Sequence, residues 1–141
     1  MKMKVKIFTI ITLITITIFL LSACGTADKV IVSKSEGDVT IKLTNSDGYL
    51  KKGKNDFNLH VLKGKDHLAV SADKVKFYLK MEAMGNMPHM QHDAKFSGSP
   101  KPGILSGNIE LQMGQSWDGV VSITGKDGNE TTINFTTMVK E

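Results

Sequence analysis

Arginine is absent from this sequence, and cysteine occurs once, at Cys24. Arginine is the side chain that most often recognises guanine and phosphate through paired hydrogen bonds, so its absence argues against nucleic acid as a partner. A single cysteine excludes an internal disulfide and a metal site built from several thiolates. The sequence also lacks a G-x-S-x-G turn, a P-loop, a Ser/His/Asp ordering and a close carboxylate pair. We therefore predict that the protein is not an enzyme.

The first 23 residues have the pattern of an export signal. Three lysines precede an apolar run over residues 7–21, which is shorter than the ~20 residues that a membrane-spanning helix needs. The run closes on Leu21-Ser-Ala-Cys24, which resembles the bacterial lipobox. This resemblance implies that Cys24 becomes the lipid-bearing first residue of the mature protein. We expect a lipid anchor on the extracytoplasmic face of the cell membrane; an uncleaved anchor or an ordinary signal peptide would also export the domain.

Removal of the predicted signal peptide, residues 1–23, leaves a nearly neutral chain. The full sequence has 18 lysines and 14 acidic residues, and Lys2, Lys4 and Lys6 belong to the signal, so 15 lysines remain against 14 acidic residues. The basic isoelectric point is thus largely an effect of the signal. We expect residues 24–37 to be the lipidated cysteine and a tether that can contribute a first edge strand. Residues 38–141 suit one domain with its own core.

From Asp38 onward, apolar and polar residues alternate in short segments, a pattern that predicts half-buried strands. Turn-forming clusters separate these segments at residues 45–48, 63–66, 97–103, 113–115 and 125–129. No amphipathic stretch of helical length occurs outside the signal. We predict an all-β antiparallel sandwich of about seven strands. Its predicted core residues are Val39, Ile41, Phe57, Leu59, Val75, Phe77, Leu79, Leu111, Trp117, Val121, Ile133 and Phe135.

The stretch from Met81 to Asp93 has the side chains best suited to metal chemistry, because four methionines recur there at a spacing of three and two histidines lie among them. Thioether sulfur is a soft, uncharged ligand that selects Cu(I), and imidazole suits copper, zinc and nickel. An extended chain would separate Met84 from Met90 by roughly 20 Å. Glycine, asparagine and proline interrupt the stretch, however, and favour a curled loop. We predict a Cu(I) site with mixed ligands: Met84, Met87, His89, Met90 and His92, with His89 the expected imidazole and Met81 and Met113 as further candidates.

Other interpretations of this stretch stay open. Methionine also fills gaps in cores and forms adaptable contact surfaces, so the loop could serve a non-catalytic interaction domain. Alternatively, His89, His92 and Asp93 could bind Zn(II) or Ni(II). Met113 could cap the core, and Trp117 is more typical of a core residue than of a ring facing Cu(I). We interpret His60 and His67 as exposed polar residues.

With the strands assigned, the chain resembles the YtkA-like or FixH-like family of small exported domains. The resemblance covers roughly residues 39–139, and its motifs are Met84-Gly-Asn-Met-Pro-His-Met90, Ile109-Glu-Leu-Gln-Met113 and Gly114-Gln-Ser-Trp117-Asp-Gly-Val-Val121. It implies an immunoglobulin-like sandwich whose Met/His loop handles copper. We expect this copper binding to serve copper tolerance or delivery. The resemblance also implies a partner among copper-transport, efflux or cytochrome oxidase assembly proteins.

Overall fold

The computed structural model describes residues 27–141. The predicted signal peptide and the predicted lipidation site at Cys24 lie outside these residues. The described chain has one turn of 3-10 helix, at Ala72–Lys74, and no helix with the length and hydrophobicity to cross a membrane. Its strands are β1 (Lys29–Glu36), β2 (Val39–Asn45), β3 (Leu50–Lys51), β4 (Gly53–Lys63), β5 (Asp66–His67), β6 (Val75–Met81), β7 (Met90–Asp93), β8 (Lys95–Lys101), β9 (Ile104–Leu111), β10 (Gln115–Thr124) and β11 (Glu130–Lys140).

These strands form two sheets. The first sheet has the order β1-β2-β4-β9-β8, with β5 also paired to β4, and the second has the order β3-β11-β10-β6-β7. Neighbouring strands are antiparallel except for β3, which runs parallel to β11. The predicted all-β sandwich is confirmed.

The core lies between the inner faces of the two sheets. Alternation along β11, where residues are buried at every second position from Ile133 to Val139, is typical of the long strands. All of the predicted core residues are buried, and Trp117 is completely so. Aromatic rings from the two sheets contact each other in the core: the Phe57 ring lies edge-on to the Phe77 ring, with a centroid distance of 5.3 Å. The period-two pattern therefore identified the buried face of each long strand correctly.

The prediction of about seven strands missed the short and the exposed ones. β8 occupies a segment that the sequence predicts mostly as a turn, because it is rich in serine, glycine and proline. Its side chains are exposed or half-exposed, so no alternation marks it, and its pairing with β9 makes it a strand. Pro100 is tolerated there because β8 lies at a sheet edge. β1 extends the first sheet into the predicted tether, where the sequence analysis allowed a first edge strand.

The chain crosses from the second sheet to the first at Ala94, whose N–H donates to the carbonyl of Phe77 at 2.9 Å. β8 then pairs antiparallel with β9, with Lys95 opposite Asn108. Residues that precede Lys95 therefore lie toward the C-terminal end of β9, which leads into Met113. This crossing brings the methionine-rich stretch next to the connection between β9 and β10.

Candidate metal-binding site

The hairpin of β6 and β7 determines which side chains of the methionine-rich stretch face inward. Met90 lies opposite Met81, and His92 lies opposite Leu79. Since Met81 and Leu79 are buried, Met90 and His92 are on the inner face of the second sheet. Gln91 and Asp93 alternate with them and face outward. Part of the predicted loop is thus a strand, formed through its pairing with β6.

Trp117 joins this inner face from β10. Asp118 lies opposite Lys80, so the next position along the ladder places Trp117 beside Met81. The indole N–H of Trp117 donates to the carbonyl of Met113 at 3.1 Å. Its ring lies 5.5 Å from the His92 ring, centroid to centroid, at an interplanar angle of 61°. Trp117 therefore connects the end of β7 to the segment that follows β9.

Several methionines contribute to the core near this end of the sandwich. Met81 is buried in the core, and Met87, Met90 and Met113 are half-buried and pack against it. We call Met81, Met87, Met90, His92, Met113 and Trp117 the methionine cluster. The structure thus brings Met113 to the predicted site, as the sequence allowed, although Met113 also contacts the core.

Met84 and Met87 are joined by a tight turn. Their backbones exchange two hydrogen bonds, with N···O distances of 3.1 and 2.9 Å. Gly85 has φ +58°, and Asn86 has a negative φ, which matches a type II′ turn with glycine at its first central position. Directly opposite residues project to the same side of a hairpin. Met84, at 61% exposure, therefore forms the solvent-facing margin beside the half-buried Met87.

His89 has different surroundings from His92. Its exposed ring lies 3.9 Å, Nδ1 to Oε2, from Glu82, which also pairs with Lys80 at 3.2 Å. Asp93 faces away from His92 and accepts a hydrogen bond from Gln91 at 3.0 Å. In residues 27–141, no three His, Cys, Asp or Glu side chains are grouped so as to hold a metal ion. The three residues of the Zn(II) or Ni(II) interpretation are thus not brought together.

The donors of the methionine cluster are chemically uniform. The inner face offers neutral thioethers and one imidazole, while the carboxylates of Glu82 and Asp93 lie outside it. Hard cations prefer oxygen ligands, whereas soft thioethers suit Cu(I). The cluster residues that could hold such an ion are Met87, Met90, Met113 and His92.

A second pair of histidines lies elsewhere. His60 and His67 are adjacent on the outer face of the first sheet, and His60 is half-buried rather than exposed as predicted. Burial and then the neighbouring His67 lower the pKa of the His60 imidazole, Asp28 acts in the opposite direction, and Lys42 lowers it further. The two-residue turn at Gly64-Lys65 was the sequence signal, because it sets the register that places His67 near His60.

Comparison with known proteins identifies the family to which the chain belongs. No curated protein and no solved structure matches the chain. The family model described as YtkA-like matches residues 33–122, which is more than half of the chain and includes both strands of the methionine-rich hairpin. The chain belongs to the YtkA-like family.

Proposed function

We propose that this protein is a membrane-anchored extracytoplasmic lipoprotein that binds copper as Cu(I) through methionine and histidine side chains. The observation that carries the proposal is that three half-buried methionines, Met87, Met90 and Met113, pack against the core, which His92 joins through its contact with Trp117. If these methionines only filled space in the core or the loop, a histidine beside them would serve no purpose. Neutral soft donors in a partly buried position favour a soft monovalent ion over a hard or highly charged one.

The role that we propose is binding for copper tolerance or delivery. Met84 and His89 are exposed at the margin of the cluster, where a copper-transport or oxidase-assembly partner could reach them. An exposed thioether beside a half-buried one gives an ion a route between solvent and the cluster. Transfer to a partner would begin at this margin.

Competition with a Cu(I)-specific chelator under reducing conditions tests the proposal. The full-length chain, purified in detergent, carries Cys24→Ala in every sample, so that a thiol cannot bind copper. Leucine at Met87, Met90 and Met113 conserves volume and apolarity while removing sulfur. Loss of even an outer-shell partner costs metal sites about 10–100-fold in affinity, so we expect this triple variant to lose at least that much.

Met138→Leu is the matched control, because Met138 is a 64% exposed methionine on β11, outside the cluster. It should bind Cu(I) as the parent does. Equal Cu(I) affinity in the triple variant would contradict the proposal.

A second candidate function is a non-catalytic interaction domain. The observation that favours it is the exposure of Met84 at the tip of the turn, since flexible thioethers make adaptable contact surfaces. This candidate predicts that the parent protein binds no Cu(I) and that the leucine variants keep any partner contact. The Zn(II) or Ni(II) alternative predicts instead that divalent ions bind and that His89→Ala/His92→Ala abolishes this binding.

A further inference from the structure

A pair of imidazole donors lies on the outer face of the first sheet, opposite to the face that packs in the core. His60 on β4 and His67 on β5 approach each other with Nδ1 and Nε2 3.3 Å apart. Leu62 pairs with His67, so His67 is the diagonal neighbour of His60 on this face. The Gly103 backbone packs closely against the base of the second side chain, since a Cβ there would lie 2.7 Å from the Cβ of His67. The β4–β5 hairpin thus places both imidazole rings next to each other on the outer face of the first sheet.

The distance between these nitrogens suits a shared metal ion. The two ring nitrogens are 3.3 Å apart, at the long end of hydrogen-bond distances. Zinc–nitrogen bonds of about 2.0–2.1 Å at tetrahedral angles separate two nitrogen ligands by about 3.3–3.4 Å. The observed separation therefore matches the edge of a tetrahedral site.

Polar groups behind His60 can accommodate the tautomer that a metal requires. The Thr44 hydroxyl lies 3.3 Å from Nε2 of His60, and it can donate its single proton to the Asn58 carbonyl at 3.4 Å or to Asp28 at 3.5 Å. With that proton so used, Nε2–H of His60 donates to Thr44. The lone pair on Nδ1 is then left facing His67. Such outer-shell partners orient histidine ligands in metal sites.

The surroundings are also suited to an open coordination site. The two rings border a cavity of about 550 Å³, which is further lined by Asp28, Pro100 and Lys101. Space in the cavity lets water molecules complete the coordination.

We propose that His60 and His67 form a second metal site, which takes a borderline divalent transition-metal ion such as Zn²⁺ through two imidazole nitrogens. This site is independent of the methionine cluster: it lies on the other sheet, contains no sulfur and selects a different class of ion. Thr44 is a positioning residue, since it acts on the metal only through His60.

Calorimetric titration with Zn²⁺ tests this site in the metal-free, full-length Cys24→Ala protein in detergent. Removal of either imidazole, in His60→Gln or His67→Gln, should lower the Zn²⁺ affinity at least tenfold. Thr44→Val keeps the side-chain shape and should cost roughly tenfold, within the range that outer-shell partners show. The double variant His89→Ala/His92→Ala removes the other two histidines and should bind Zn²⁺ as the parent does.

Two outcomes would overturn the proposal: unchanged Zn²⁺ affinity in His67→Gln, or loss of binding in the His89→Ala/His92→Ala control. His67 is exposed, so its replacement leaves the core intact and the result interpretable even if His60→Gln fails to fold. The leucine variant of Met87, Met90 and Met113 should retain Zn²⁺ binding. Failure of the Cu(I) proposal is therefore distinguishable from failure of this one.

Discussion

At the residue scale, His89 and His92 are close in sequence but differ in surroundings. His92 shares the inner face of its sheet with Met90 and lies against the Trp117 ring. His89 is exposed and lies near the carboxylate of Glu82. An imidazole already held among the thioethers loses less conformational entropy on binding a metal than an exposed one does.

We therefore expect His92→Ala to lower the Cu(I) affinity at least about tenfold, since it removes a ligand itself. His89→Ala should change the affinity by no more than about twofold, because its ring lies at the solvent-facing margin. The chelator competition used for the methionine variants measures both. The reverse ranking would mean that the hairpin rearranges around copper and that the sequence-based choice of His89 was right.

The sequence indicated the stretch of the proposed copper site but not the geometry of its side chains. Methionines at a spacing of three indicated soft ligands between Met81 and Met90, whatever their backbone. The pairing of β7 with β6 determines which histidine faces these methionines. Because β7 has only four residues, its sequence pattern is too short to predict that pairing. His60 and His67 were likewise unremarkable as single residues, and a hairpin register makes them neighbours.

At the element scale, the packing of β10 against β11 depends on a glycine within β10, Gly119. Phe135 lies opposite Gly119 on β11, and a Cβ on Gly119 would lie 2.1 Å from the Phe135 ring. The ring therefore occupies the space above the glycine, which has no side chain of its own to pack. Overpacking at such a position forces side chains and backbone apart.

Gly119→Ala should destabilise the domain by about 1–3 kcal/mol, the usual cost of extra volume in a packed site. Gly98→Ala on β8 is the matched control, because its Cβ would meet nothing within 4 Å. That change should be neutral or stabilise the fold by up to about 1 kcal/mol, since alanine restricts the unfolded chain. Urea unfolding with unchanged m-values measures both. Equal stability of the two variants would show that the Phe135 ring moves aside freely.

At the scale of the whole molecule, the sequence predicted the sandwich architecture better than it predicted the edge strands of the sheets. Long strands with one buried face are recognisable in the sequence because apolar and polar residues alternate along them, as in β6 and β11. The edge strand β8 has mostly exposed side chains on both faces, so its backbone pairing leaves no alternating hydrophobic pattern in the sequence. The crossing at Ala94, which assembles the methionine cluster, depends on these edges.

The proposed membrane anchor also concerns the whole molecule. β1 begins at Lys29, so the four residues between it and Cys24 could span only about 15 Å, and the sandwich would sit close to the bilayer. Cys24→Ala should release the domain from the membrane fraction or leave it unprocessed. Metabolic labelling with a fatty acid and membrane fractionation measure this outcome. Labelling and fractionation identical to the parent would contradict lipidation at Cys24.

The last prediction is that the sandwich folds without metal. Its core joins both sheets through residues such as Phe77, which packs against Phe57 and Phe135, and the half-buried methionines lie at one end of that core. Phe77→Ala should cost about 3–5 kcal/mol. Leucine at Met87, Met90 or Met113 should cost less than about 1.5 kcal/mol each in the metal-free protein, because volume and apolarity are kept.

Far-ultraviolet circular dichroism and urea unfolding, with a copper chelator present, measure these changes in the full-length Cys24→Ala protein. The Met138→Leu variant supplies the reference for an exposed methionine. A metal-free protein that is unfolded and gains β structure only when Cu(I) is added would contradict the prediction. Copper would then be a structural ion that holds the β6–β7 hairpin to the β9–β10 connection, and the methionine cluster would be part of what makes the chain fold.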